Sequence, residues 1–234
     1  MLLTRRALAE FVGTALLLIA VVGSGIAAQR LSPSDTGLQL LENALATGSA
    51  LAAIILAVGA VSGAHLNPVV SLVDTAFGGL RRAELAAYVA AQVAGACAGT
   101  VVANLMFSLP ALQISHKARS GGGLWLAEAV ATFGLLLVIF GLARSRRAHM
   151  APFAVGAYIT GAYFFTASTS FANPAVSIAR MFSDTFAGIS PGSVPGFVIF
   201  QVVGSIVAFG AIRLLYPTFV DTQRVVVMPH EEAS

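Results

Sequence analysis

The sequence predicts an all-α membrane protein: six transmembrane helices plus two re-entrant half-helices, arranged as an inverted repeat. Three observations lead there. The 234-residue chain is 57% hydrophobic and only 10% charged, with a mean hydropathy of +0.87, whereas a soluble domain carries about 25% charged residues. Six stretches, near 7–28, 38–60, 83–108, 124–143, 152–170 and 195–216, are apolar over the ~20 residues a crossing needs. Two further apolar segments, 67–77 and 173–182, are too short to cross, and each opens on an Asn-Pro step.

Those two steps organise the rest. Gly63-Ala64-His65-Leu66-Asn67-Pro68-Val69-Val70-Ser71 is answered by Thr169-Ser170-Phe171-Ala172-Asn173-Pro174-Ala175-Val176-Ser177. Asn is a favoured N-cap and Pro a favoured first helical residue. Short interrupted segments at corresponding places in two halves point to a midplane site built from half-helices.

The flanks repeat as well. Ala9-Glu10-Phe11-Val12-Gly13-Thr14 answers Ala127-Glu128-Ala129-Val130-Ala131-Thr132, and Gln92-Val93-Ala94-Gly95 answers Gln201-Val202-Val203-Gly204. The chain divides into a first repeat at 1–108, a connecting loop at 109–123, a second repeat at 124–216 and a polar tail at 217–234. Each repeat has three full spans. An odd number makes the second enter from the opposite side, so the half-helices meet N-terminus to N-terminus.

Arg5, Arg6, Arg81, Arg82, Arg144, Arg146, Arg147 and Arg224 fall on one side of these spans, and Arg30, Lys117, Arg119 and Arg180 on the other. The heavier side is expected to be cytoplasmic, with both termini inside the cell's inner membrane. The run after Arg5-Arg6 has the form of a signal peptide, but Glu10 interrupts it and the segment has a partner later in the chain.

Several polar residues fall inside the apolar stretches. An Asn cap uses its side-chain oxygen on its own helix and leaves an NH2 donor for a lumen. Asn67 and Asn173 therefore offer donors without adding charge. Facing helix N-termini oppose the passage of cations and protons. The backbones before them, 63–66 and 169–172, are expected to be extended and to expose carbonyls. Glu10 and Glu128 are intramembrane carboxylates, functional suspects by default. One reading makes them a proton relay in a coupled transporter; the other has them brace the re-entrant backbone. His65 is expected to line the pathway or to be hydrogen-bonded rather than to act as a pH gate. Cys97, the single cysteine, is expected to pack, and it excludes a Cys-based zinc site and an intrachain disulfide. His116, His149 and His230 lack metal-ligand spacing. Gly95, Gly99, Gly204 and Ala208 give small faces for close helix contact.

Two Asn-Pro boxes, six spans, the inverted repeat and the paired glutamates together resemble the aquaporin (major intrinsic protein) family, over about residues 7–216. The resemblance implies that Glu10 and Glu128 brace. It implies that Asn67, Pro68, Val69 and Asn173, Pro174, Ala175 form the pore boxes. It also implies a homotetramer with one pore per subunit. Counted from the boxes, the family's outer constriction falls on Thr47, Gly161, Ser170 and Val176. The family usually has Arg at the last position and an aromatic ring among the others, and on this count the chain has neither. Arg180, one turn on, is expected to face Asp184 at i+4 rather than to line the pore. Val69, where the family usually has Ala, is expected to add bulk at the midplane. Bacterial members with such a Val are associated with metalloid hydroxides such as arsenite.

The expected function is thus a passive channel in the lipid bilayer for small uncharged solutes (polyols, urea-like molecules or arsenite-like hydroxides) and water. No cofactor, metal, nucleic acid or catalysis is implied. The alternatives are a water-selective aquaporin, against which Gly161 and the missing Arg are the argument, a proton-coupled transporter using Glu10 and Glu128, and a non-conducting adhesion protein. The loops are short for the last of these.

Overall fold

The structure, a computed structural model, describes residues 2–217. The tail beyond Pro217, with Arg224 and His230, lies outside the described residues. Eight α-helices follow in order: α1 (Leu3–Leu31), α2 (Thr36–Ser62), α3 (Pro68–Phe77), α4 (Arg82–Met106), α5 (Gly122–Arg144), α6 (Ala151–Phe165), α7 (Pro174–Ala179) and α8 (Val194–Leu215). Five of the long helices are apolar enough to cross a bilayer. The sixth, α6, has 15 residues, and the 3-10 turn Ala148–Met150 runs straight into it. Together they reach roughly 28 Å at ~1.5 and ~2.0 Å per residue. The helix stops at Phe165, short of the expected 170, because Thr166 is extended (φ −116°). Outward-facing Leu16, Leu45, Phe164, Ile206 and Leu214 are exposed. Such faces fit hydrocarbon, and the chain is a multi-pass membrane protein.

The two short helices start as their sequences dictate. The Asn67 side chain accepts from Val69 N at 3.1 Å. The Asn173 side chain accepts from Ala175 N at 3.0 Å and Val176 N at 3.3 Å. Pro68 and Pro174 each sit in the first helical turn, where a missing N–H costs nothing. Gly78, left-handed at φ 87°, ends α3. A 3-10 turn, Arg180–Phe182, extends α7, so the second short segment fills the expected 173–182.

In the first half α1 packs against α2 and α4; in the second α5 packs against α6 and α8; α2 and α6 join the halves. The α1–α4 and α5–α8 seams rest on glycine. A Cβ on Gly95 would sit 2.2 Å from Phe11 O, on Gly99 2.2 Å from Ala15 O, and on Gly204 2.3 Å from Ala129 O. Backbones this close admit no side chain. Gly99→Leu should therefore drive α1 from α4 and cost at least the ~1–3 kcal/mol of overpacking. The check is a thermal-stability series by size-exclusion in detergent. Gly210→Leu is the control, since none of the described residues lies within 4 Å of a Cβ there.

Candidate functional site

The chain ahead of each short helix is not simply extended. Ala64 (φ 49°) and Leu66 (φ 51°) are left-handed, and so are Thr169 (64°), Ser170 (49°) and Ala172 (48°). A non-glycine residue pays roughly 1 kcal/mol or more for that conformation, and it persists only where the surroundings enforce it. Two carboxylates supply the enforcement. Glu10 accepts from His65 N at 3.0 Å, Leu66 N at 2.7 Å, Ser62 Oγ at 2.6 Å and Gln92 Nε2 at 2.7 Å. Glu128 accepts from Phe171 N and Ala172 N, both at 2.9 Å, and from Gln201 Nε2 at 2.5 Å. Both are fully buried, and neither lines the central cavity. Buried carboxylates with this many donors are braces.

The brace has a third member that the sequence reading did not assign. Gln92 Nε2 also donates to Ser71 Oγ, and Gln201 Nε2 to Ser177 Oγ, each at 2.9 Å. The signal was present: Ser71 and Ser177 each stand four residues after their Asn, and the two Gln mark the repeat.

The asparagines meet crosswise. Asn67 Nδ2 donates to Ala172 O at 2.7 Å, and Asn173 Nδ2 donates to Leu66 O at 2.8 Å. Each amide thus ties the two halves with one hydrogen and keeps a second for the lumen. Both line a narrow cavity of about 60 Å³, together with Thr47, His65, Ser170, Val176 and aliphatic side chains from both halves such as Leu51, Ile139 and Ile159. His65 both lines the cavity and is bonded: Nδ1 is 2.9 Å from Ser71 Oγ, Nε2 is 3.7 Å from Asp74 Oδ2, and its ring meets Tyr88 edge-on at 5.1 Å. Pro68, Val69, Pro174 and Ala175 are not in the lining; Val70 is. Val69 is buried away from the lumen and adds no bulk to it. Cys97 is half-buried in α4 and packs against the core.

Two of the residues considered for the outer end lie elsewhere than expected. Gly161 is exposed on the outward face of α6, and among the described residues a Cβ there would meet only Phe165. The lining residue is Tyr163, whose Oη donates to Thr47 Oγ1 at 3.2 Å. Two residues along a helix is about 200° of rotation, the opposite face. Counting back from the box carried the error across an irregular connection, 166–172, whose path the sequence does not reveal. Arg180 does not face Asp184. That carboxylate holds His116, with Oδ2 3.1 Å from Nδ1, and the hydrogen bonds from His116 hold it below the usual aspartate range. Arg180 turns inward instead. It is 2% exposed, donates from Nε to Ala187 O, and lines the cavity beside Val176. A guanidinium and an aromatic ring are therefore both present, at positions the count did not reach.

The connecting loop closes over this end. Arg119 donates to Gly188 O at 2.9 Å, Phe186 O at 3.3 Å and Ser168 O at 3.4 Å. Lys117 Nζ donates to Phe186 O at 2.8 Å. Burial, then the guanidiniums of Arg119 and Arg180, pull the Lys117 ammonium down to about 8. At the opposite end Arg6 pairs with Glu84 at 3.2 Å and donates to Tyr88 Oη at 2.8 Å.

Two short helices capped by crossed asparagines, braced in mirror fashion around one cavity, define a membrane pore protein of repeated halves. Residues 1–172 match the major intrinsic protein family, and the chain belongs to that family. It is 54% identical to the aquaglyceroporin AqpS of Rhizobium meliloti (strain 1021), over 91% of each chain. It is 31% identical to the aquaporin AqpM of Methanothermobacter marburgensis, over 88% of this chain and 95% of that one. Among solved structures it superposes on the aquaglyceroporin of Plasmodium falciparum with a TM-score of 0.71 at 23% identity, over 92% of this chain and 98% of that one. At that identity the likeness bears on the fold.

Proposed function

We propose that the protein is a passive channel for small uncharged solutes and water: polyols, urea-like molecules or trihydroxy metalloids such as arsenite. The observation that carries this reading is the cavity lined by both crossed asparagines. Its lining combines a few donors with many aliphatic side chains, which suits a solute that carries both hydroxyls and carbon or bare surface. The relay alternative needs a carboxylate open to the lumen. Glu10 and Glu128 are outside the lining, and every oxygen they carry is held by fixed donors. In this reading the chain is no enzyme. It sits in the inner membrane with both termini cytoplasmic and assembles as a homotetramer with one pathway per subunit.

One observation favours the water-selective alternative. Gly161 and a missing Arg were the argument against it, yet Tyr163 and Arg180 both stand in the lining. Glycerol swelling of proteoliposomes separates the two: glycerol permeability above that of empty vesicles supports the wider channel. For either, a protonophore should leave uptake of neutral glycerol unchanged. Uptake abolished by the protonophore rules out the passive reading.

A further inference from the structure

Arg180 heads the fully buried side chains in size, and it is a cation. Nε is satisfied by Ala187 O. No acceptor among the described residues meets Nη1 or Nη2, and the guanidinium lies over Phe171, its carbon 3.5 Å from the ring centroid. A buried guanidinium with four N–H bonds lacking protein acceptors is strongly unfavourable unless something mobile supplies them. The cavity it faces is the place for that. Ser170 Oγ, in the same lining, is also buried and without a partner. Thr47 Oγ1 takes the Tyr163 proton, which leaves its own hydrogen to donate. Three donors with unmatched hydrogens therefore share one lining with the methyls of Val176 and Ile159.

We propose that Arg180 is the fixed cation and chief solute-binding donor of this pathway, taking over from one helical turn away the place that position 176 gives to valine, and that Arg119 positions it. The proposal rests on the pathway reading above. Its ligand class is a neutral solute rich in oxygen acceptors, a polyol or a trihydroxide. Such a solute satisfies the guanidinium fork and the hydroxyls at once. A metal cation meets a fixed like charge in a region of low dielectric.

Arg119 supports the geometry from the connecting loop. Arg180 anchors on Ala187 O; Arg119 grips the carbonyls on either side, Phe186 and Gly188. Both guanidiniums use the Phe171 ring, Arg119 at 5.3 Å and Arg180 at 3.5 Å. Arg119 thus fixes the two surfaces against which Arg180 is held. It is a positioning residue, since it is absent from the lining.

The test uses the full chain in proteoliposomes at matched protein density: wild type, Arg180→Ala, Arg180→Lys and Arg119→Ala. Water and glycerol permeabilities are read by stopped-flow scattering and potassium flux by a diffusion potential. Each variant is first checked by size-exclusion. Arg180→Ala should raise potassium flux at least tenfold and change the glycerol-to-water ratio at least threefold. Arg180→Lys should keep potassium out, because the charge remains. It should shift the ratio, because an ammonium lacks the planar fork. Arg119→Ala should shift the ratio in the same direction as Arg180→Ala, by less. A folded Arg180→Ala with wild-type potassium flux and ratio overturns the proposal. If that variant does not fold, a wild-type ratio in Arg180→Lys overturns it. A wild-type ratio in Arg119→Ala removes the positioning role. A wild type that passes neither water nor glycerol above empty vesicles overturns the pathway reading itself, whatever the variants do.

Discussion

Glu128→Gln is expected to abolish permeability to water and glycerol together and to leave little folded protein at 37 °C. The carboxylate holds the amides of Phe171 and Ala172 at 2.9 Å and the amide of Gln201 at 2.5 Å. Two of these donors belong to a stretch with left-handed residues at 169, 170 and 172, which relaxes once its anchor weakens. Glutamine keeps one acceptor oxygen and replaces the other with an NH2 group. That group points a donor at donors, so at least one charge-assisted bond becomes a repulsion. Breaking a buried ionic hydrogen-bond network in this way costs about 3–5 kcal/mol, against a total stability of roughly 5–15 kcal/mol. Thermal unfolding in detergent should show a large loss, and swelling assays on whatever protein folds should show both permeabilities reduced alike. Glu10→Gln should behave the same way through His65, Leu66 and Gln92. A proton relay gives a different pattern: a stable variant that loses only gradient-driven uptake. That pattern in either variant would sink the bracing assignment.

The brace was legible in the sequence because its parts recur. Two Glu, two Gln and two Asn-Pro steps keep the same order in both halves, and repetition separates a structural role from chance. Helix starts were legible for a local reason, since Asn and Pro act within one turn of where they stand. The constriction was not, and the cause is also local. Residues 166–172 cross from α6 to α7 by way of three left-handed residues other than glycine. Nothing in Thr, Ser or Ala announces that conformation; the carboxylate of Glu128, some forty residues away in the chain, imposes it. Spacing counted across such a segment gives a position but not a helix face, so it reached exposed Gly161 while Tyr163 lines the cavity. Arg180 was misread for a similar reason. A helical i+4 pairing with Asp184 presumes that the helix continues, and α7 ends at Ala179. The 3-10 turn that follows swings the guanidinium onto Phe171, while the backbone and ring of His116 take Asp184.

Val176→Arg is expected to lower glycerol permeability far more than water permeability. Val176 lines the cavity at 5% exposure and presents two methyls and no donor. Arginine there adds a long side chain and a second guanidinium four residues before Arg180. Like charges at this spacing repel even on an exposed helix, and more strongly where water is scarce. The new side chain must therefore extend into the lumen, away from Arg180, rather than fold against the wall. Glycerol loses both the width it needs and the apolar surface its carbons slide along. Water needs less width, and the second hydrogens of Asn67 and Asn173 remain to guide it. Steric exclusion rises steeply with solute size, so a tenfold fall in the glycerol-to-water ratio, about 1.4 kcal/mol of barrier difference, is a modest expectation. Stopped-flow scattering on proteoliposomes of matched density gives both rates, and Val176→Leu tests whether bulk alone accounts for the change. Equal loss of both permeabilities in a folded Val176→Arg would mean that the two guanidiniums close the lumen outright. No change in either would place the side chain outside the conducting path and move the constriction to the crossed asparagines.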